Sequence, residues 1–325
     1  MLRSCERTLV DEHDLVMLDL DGVVYVGGEA VPHAPDAIRA AQRRTTVAYV
    51  TNNASRRPED VAEHLVDLGV PAESADVVTS AQAAASVLAS RLAEGSPVAV
   101  LGARGLRTAV EQAGLVPVGI EDEARAVVTG YGPDVRWRDI MRAAVRIRTG
   151  TWWVASNTDM SIPTPEGRAP GHGVLVDTLR RFSEVEPVVA GKPEPPLLEE
   201  TVRRVGGQRP LMVGDRLDTD IEGAHRCGMA SLLVRTGVSD LGDLLAAPAQ
   251  QRPTYLGADL RALLEPHPAV TLDDGVARCG GWTVRVASGR LVVEGDGPDD
   301  DWWRAVAVAG WEHLDATGEV VGAPR

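Results

Sequence analysis

The chain has 325 residues, 44% of them hydrophobic, which is enough for two or three domains with cores of their own. No window approaches the roughly 18 uninterrupted apolar residues of a membrane span, and the three cysteines, at 5, 227 and 279, form neither a disulfide framework nor a CxxC zinc pattern. A formal net charge of −14 repels polyphosphate backbones and argues against a nucleic-acid partner.

The opening residues run into the acidic stretch Asp11-Glu12-His13-Asp14 without the apolar centre of a signal peptide, so the cytoplasm is the expected address. Leu15 to Leu18 reads as a buried strand, and a helix follows around Ala34 to Arg43. Thr46 to Val50 is the next strand. Ser55 and Pro58 open a helix with Val61, Leu65 and Leu68 on one face, and Gly69 is placed to end it. Alternating strands and helices indicate a parallel sheet.

A second alternation runs from 97 to 155, with strands at Val98 to Leu101, Ala126 to Thr129 and Thr151 to Ala155. Helices near Leu106 to Ala113 and Ile140 to Arg148 separate them, which is enough for an inserted α/β domain. Leu175, Leu179 and Phe182 form another helical face. Val188 to Ala190, Leu211 to Val213 and Ser231 to Val234 then complete the first domain. Beyond Pro266, β-branched runs at Trp282 to Val286 and Arg290 to Val293, a solvated acidic turn through Glu294 to Asp301 and a helix from Trp302 suggest a separate module.

Four polar clusters each follow a core strand, where open α/β sheets bind ligands. Asp19 and Asp21 would share one small volume if the backbone stays extended, and a divalent cation, with Asp215 as a third oxygen ligand, would relieve their repulsion. Mg²⁺ suits so sparse an acidic site, with Asp220 supporting the ligands from behind. For phosphoryl transfer, Asp19 is the candidate nucleophile and Asp21 the general acid and base. Thr51, Asn52 and Asn53 offer donors to phosphoryl oxygens. Lys192 is the only lysine among 33 basic residues, and it would bring a positive charge to the same oxygens. Taken singly, an Asp after a strand is more often a turn or cap residue. Together, in this order, the bland reading loses ground. Neither HExxH, GxSxG, GxGxxG nor a Walker sequence occurs.

The segments Asp19-Leu-Asp-Gly-Val-Val-Tyr, Thr51-Asn-Asn-Ala-Ser-Arg, Gly191-Lys-Pro-Glu-Pro and Gly214-Asp-Arg-Leu-Asp-Thr-Asp resemble the four motifs of haloacid dehalogenase-superfamily phosphatases. The resemblance spans residues 12 to 262 and is nearest to the branch with 4-nitrophenylphosphatases, phosphoglycolate phosphatases and pyridoxal phosphate phosphatases. It implies a doubly wound α/β core from residues 1–80 and 186–264, an α/β cap at 81–185 and a C-terminal α+β module at 266–325. It also implies that the cap segments Gly130-Tyr131 with Asp134, Asn157-Thr158-Asp159, Pro163 and Pro170-Gly171-His172-Gly173 border the substrate, with Tyr131, Asp134 and His172 as contacts. The last module is similar to a truncated acetyltransferase-like domain found in actinobacterial glycerol 3-phosphate phosphatases. The activity implied is Mg²⁺-dependent hydrolysis of a small phosphorylated metabolite, glycerol 3-phosphate first. Phosphoglycolate, pyridoxal phosphate or a nucleotide stand as rivals, and transfer to a sugar hydroxyl or a regulatory role of the C-terminal module stand as alternatives. Caps of this branch sometimes mediate dimers, which makes a homodimer an assembly to test.

Overall fold

The computed structural model describes residues 2–164 and 167–322. The chain forms two compact units, one of residues 1–47, 69–71 and 207–325 and the other of residues 48–68 and 72–206.

In the first unit, four parallel strands lie in the order Tyr255–Gly257, Ala230–Val234, Pro210–Gly214, Leu15–Leu18. Every residue of Leu15–Leu18 is buried, as a strand covered on both faces requires. Further along the chain, strands Thr271–Asp273, Val276–Cys279, Trp282–Ala287 and Arg290–Gly295 form an antiparallel sheet against helix Asp299–Thr317. Its first two strands escaped the sequence reading, although the Asp274-Gly275 turn between them is a strong hairpin signal. The helix starts three residues before Trp302, because Asp299, Asp300 and Asp301 suit the positive end of a helix dipole. The acidic turn is therefore not wholly solvated: Asp301 is buried and pairs with Arg304 at 2.7 Å.

One hydrophobic core runs through this unit. It joins Leu217, Ile221, Leu233, Leu244, Leu245 and Leu256 to Ala277, Cys279, Val284, Leu291, Trp311 and Val321. Trp311 donates to the Leu244 carbonyl at 2.7 Å, and the Arg304 guanidinium caps the Leu256 carbonyl at 2.8 and 3.2 Å. Arg252 makes two 2.7 Å bonds to Asp315 while lying over the Trp311 ring. Burial pushes the Cys279 thiol up to about 12, helped by Asp301 beside it, so this cysteine is an inert core residue.

In the second unit, strand Thr46–Thr51, most of which belongs here, pairs in parallel with Val77–Thr79. A five-stranded parallel sheet has the order Val188–Val189, Trp152–Ala155, Ala126–Thr129, Pro97–Leu101, Val116–Val118, so Val188–Val189, expected to help complete the first domain, pairs here with Trp152–Ala155 instead. Helix Pro58–Asp67 ends as expected at Gly69, whose φ of +78° favours glycine. Helix His172–Ser183 buries Leu179 of the anticipated face together with His172, Val176 and Ser183, packs Leu175 against the same core, and leaves Phe182 half exposed. An antiparallel hairpin, Ser161–Thr164 with Gly167–Pro170, precedes that helix. No described helix is long and apolar enough to cross a membrane.

Candidate active site

Strands Leu15–Leu18 and Pro210–Gly214 lie side by side and end together, so Asp19 and Asp215 emerge at the same edge of the sheet. The Asp19 amide still donates to the Val213 carbonyl at 2.9 Å, which fixes its backbone in the ladder. Past Asp19 the chain leaves the strand. The Leu20 carbonyl accepts the Val24 amide at 2.9 Å, and Gly22 takes a φ of +87°.

Asp215 is 1% exposed, and its Oδ2 accepts the Val238 amide at 2.7 Å. Two glycines press on this carboxylate: a Cβ on Gly237 would stand 1.9 Å from Oδ2, and one on Gly22 would stand 2.5 Å away. Thr236 fastens the second of these glycines by donating to the Gly22 carbonyl at 2.5 Å. The sequence reading missed Thr236, Gly237 and Val238. Their only signal was a Thr-Gly-Val step just after a buried strand.

Asp220 lies in the single wide turn Leu217–Ile221, wholly buried, and its Oδ2 accepts the Arg216 amide at 3.2 Å. Gly214 makes room for it, since a Cβ there would lie 2.1 Å from the Asp220 Cβ. One carboxylate oxygen from each of Asp19, Asp215 and Asp220 falls within 4.8 Å of the other two. Three carboxylates so close in a largely buried setting repel unless a cation joins them, and an all-oxygen set of this kind fits Mg²⁺. Asp21 is exposed, and its carboxylate is not part of the trio.

The second unit carries a separate polar network around Thr51, Asn52 and Lys192. Asn52 Oδ1 accepts the Lys192 amide at 2.8 Å, and its Nδ2 donates to the Lys192 carbonyl at 3.0 Å and to Asp159 at 3.1 Å. Both amide hydrogens are thus engaged, one on the lysine segment and one on Asp159. The Asn52 carbonyl in turn accepts Ser80 Oγ at 2.6 Å and Asn157 Nδ2 at 2.7 Å. Asp159 and Asn157 belong to the segment Asn157-Thr158-Asp159 that the family resemblance places beside the substrate, whereas Ser80 had no distinguishing sequence signal. Lys192 is 2% exposed, with Nζ 3.5 Å from the Val50 carbonyl, and Gly191 permits this approach because a Cβ would lie 2.6 Å from Asn52 Oδ1. Thr51 is buried and its Oγ accepts the Asn53 amide at 3.0 Å. Asn53 is exposed, and its Oδ1 holds the turn by accepting the Ser55 amide at 2.8 Å.

Of the residues expected to contact the substrate from the inserted segment, Tyr131 is partly buried and Asp134 exposed in a turn closed by the Val135 amide on the Gly132 carbonyl. His172 is 2% exposed with Nδ1 2.9 Å from the Asn157 carbonyl. Gly171 and Gly173 let this segment lie directly on the backbone of Thr158 and Asp159, where either Cβ would come to 2.2 Å of a carbonyl.

Burial lowers the His172 pKa from 6.5 to about 4. Between those values the unfolded chain binds a proton that the folded chain refuses, so stability falls as pH drops through this window and levels off below it. The full loss amounts to roughly 3 kcal/mol. His13 and His267, lowered by burial too, act in the same direction. Urea midpoints of the wild type should fall with pH, and His172→Asn should flatten part of that slope. An unchanged slope in the variant would assign the effect to other groups.

The chain matches the family profile of haloacid dehalogenase-like hydrolases over residues 16–116 and a HAD-hydrolase-like profile over residues 189–263. It is 42% identical over 316 residues to the D-glycerol 3-phosphate phosphatase of Mycobacterium tuberculosis, covering 94% of this chain and 88% of that one. The 5'-nucleotidase YutF of Bacillus subtilis is 37% identical over 226 residues, covering 69% of this chain and 87% of that one. The crystal structure of the M. tuberculosis glycerol phosphate phosphatase in complex with magnesium superposes with a TM-score of 0.86 at 42% identity, covering 94% of this chain and 92% of that one. The chain belongs to the haloacid dehalogenase-like hydrolase family.

Proposed function

We propose that the protein is a Mg²⁺-dependent phosphatase that hydrolyses a small phosphate monoester, glycerol 3-phosphate foremost, by way of an aspartyl-phosphate. The observation that carries the chemistry is the convergence of Asp19, Asp215 and Asp220 at adjoining strand ends. The substrate rests on the 42% identity to a D-glycerol 3-phosphate phosphatase, which extends through the C-terminal residues as well.

An Asp19 carboxylate oxygen attacks phosphorus, and the bond from phosphorus to the alkoxide oxygen breaks. Asp21 protonates that oxygen, then takes a proton from the water that attacks the phosphorylated Asp19, releasing inorganic phosphate and restoring the carboxylate. Thr51, Asn53 and Lys192 bind the phosphoryl oxygens. Mg²⁺, held by Asp19 and Asp215 with Asp220 behind them, supplies positive charge against the phosphoryl group when bound. Asn52 acts by holding the Lys192 segment in place.

In this reading residues 81–185 form the cap that selects the substrate. Residues 1–80 and 186–264 form the catalytic core, and 266–325 an accessory module. Tyr131 and Asp134 touch the non-reacting part of the substrate, and His172 shapes the same pocket through the Asn157 segment. Such an activity belongs to glycerophospholipid metabolism in the cytoplasm.

A nucleotide is the second reading, favoured by the likeness to a 5'-nucleotidase. Phosphate release should be measured from glycerol 3-phosphate, phosphoglycolate, pyridoxal phosphate, a nucleoside monophosphate and 4-nitrophenyl phosphate, with Mg²⁺ or with chelator. Glycerol 3-phosphate should lead in kcat/KM by about 10- to 100-fold, and chelator should abolish every signal. A lead for the nucleotide would transfer the assignment to it.

A further inference from the structure

Helix Trp137–Arg148 buries only Ala143, Ala144 and Ile147. Trp137, Met141 and Val145, spaced by one turn each, are instead 66%, 56% and 54% exposed. The neighbouring helix His172–Ser183 continues the patch with Val174 and Phe182, and the Arg148 guanidinium lies 5.5 Å from the centre of the Phe182 ring. Residues 136–148 carry five arginines, at 136, 138, 142, 146 and 148, against the single acid Asp139. Nearby acids hold them loosely: Arg142 sits 3.7 Å from Glu121 and 3.8 Å from Asp139, and Arg138 sits 3.9 Å from Asp139. An arginine-rich island beside exposed Trp, Met and Val is unexpected on a chain with a net charge of −14.

We infer that this helix face docks peripherally on an anionic lipid surface. A stripe with tryptophan at one end and arginines on its flank is the pattern of a helix lying in a bilayer interface, apolar side chains among the acyl boundary and guanidinium groups among lipid phosphates. The charge argues against a second copy of the chain as occupant, because two such faces brought together set arginine against arginine. The dimer implied by the sequence resemblance gains no support from this surface. The contact is peripheral, in keeping with the absence of a membrane-crossing helix among the described residues.

The test is flotation of the full chain with vesicles of phosphatidylcholine alone and of phosphatidylcholine mixed with phosphatidylglycerol. The protein should float with the anionic vesicles only, and added salt should release it. Arg138→Gln with Arg142→Gln should weaken binding by about 30-fold, near fivefold for each arginine removed. Trp137→Ser with Met141→Ser should abolish flotation, while phosphate release from a soluble substrate is unchanged and shows both variants to be folded. Equal flotation with the two vesicles, none with either, or no response to the substitutions would overturn the inference. So would a concentration-dependent dimer in sedimentation that Trp137→Ser disperses, which would make the face an interface between copies.

Discussion

Asp19→Asn should reduce phosphate release by at least about 10³-fold with Mg²⁺ saturating, because an amide lacks the nucleophilic oxygen anion that opens the reaction. The substitution nearly preserves volume, and the backbone bond from the Asp19 amide to Val213 does not involve the side chain. The fold should therefore survive, and thermal unfolding should confirm it. Removing one carboxylate from a crowded trio relieves repulsion in the metal-free chain. The variant should accordingly be at least as heat-stable as wild type in chelator, and should gain less from added Mg²⁺. Turnover close to wild type would remove Asp19 from the nucleophile's role. A variant that loses both turnover and fold would instead mark it as structural.

Truncation after Pro266 should leave a chain that does not fold cooperatively. The cut would uncover Leu217, Ile221, Leu233, Leu244, Leu245 and Leu256, which share their core with residues from the deleted part. Re-exposing these side chains costs on the order of 5–10 kcal/mol, comparable with the whole stability of a typical domain. The cut would also strip the Leu244 carbonyl of its Trp311 donor and the Leu256 carbonyl of Arg304. Loss of activity on truncation would thus report unfolding, not a regulatory function of the module. Circular dichroism melts of the full and shortened chains settle the matter. A shortened chain that melts within a few degrees of the full one and still releases phosphate would show that the last residues are dispensable for the core. Arg304→Met, which removes the guanidinium but keeps the chain length, gives a milder form of the same test.

The parallel elements were legible because buried strands such as Leu15–Leu18 are unbroken apolar runs and because Pro and Gly mark helix ends at Pro58 and Gly69. Asp19, Asp215 and Lys192 stood out as polar residues placed directly after such runs. What the sequence hid depends on three-dimensional closure. A supporting role for Asp220 needs the wide turn Leu217–Ile221, which carries its carboxylate within 4.8 Å of those of Asp19 and Asp215 and which no sequence pattern announces. Asp21 is a natural companion of Asp19 by its two-residue spacing, and in the structure it is exposed and lies outside the carboxylate trio. Phe182 was assigned inward because Leu175, Leu179 and Phe182 repeat at helical intervals. Leu179 is buried and Leu175 packs on the core, but Phe182 falls at the edge of that face, since the buried stripe runs on through Val176 and Ser183. The continuity of the C-terminal residues with the first-unit core was invisible for a related reason, since each contributes only half of that core.

The scarcity of lysine has a practical side. The only lysine of the chain is Lys192, shielded to 2% exposure and followed by proline. Amine-reactive dyes, lysine acylation and lysine-directed crosslinkers therefore find no exposed side-chain amine on the folded protein. Trypsin, which cuts poorly before proline, should fragment the chain almost entirely at arginine. A lysine introduced at any chosen surface position would become a unique chemical handle, obtained without first removing competing sites.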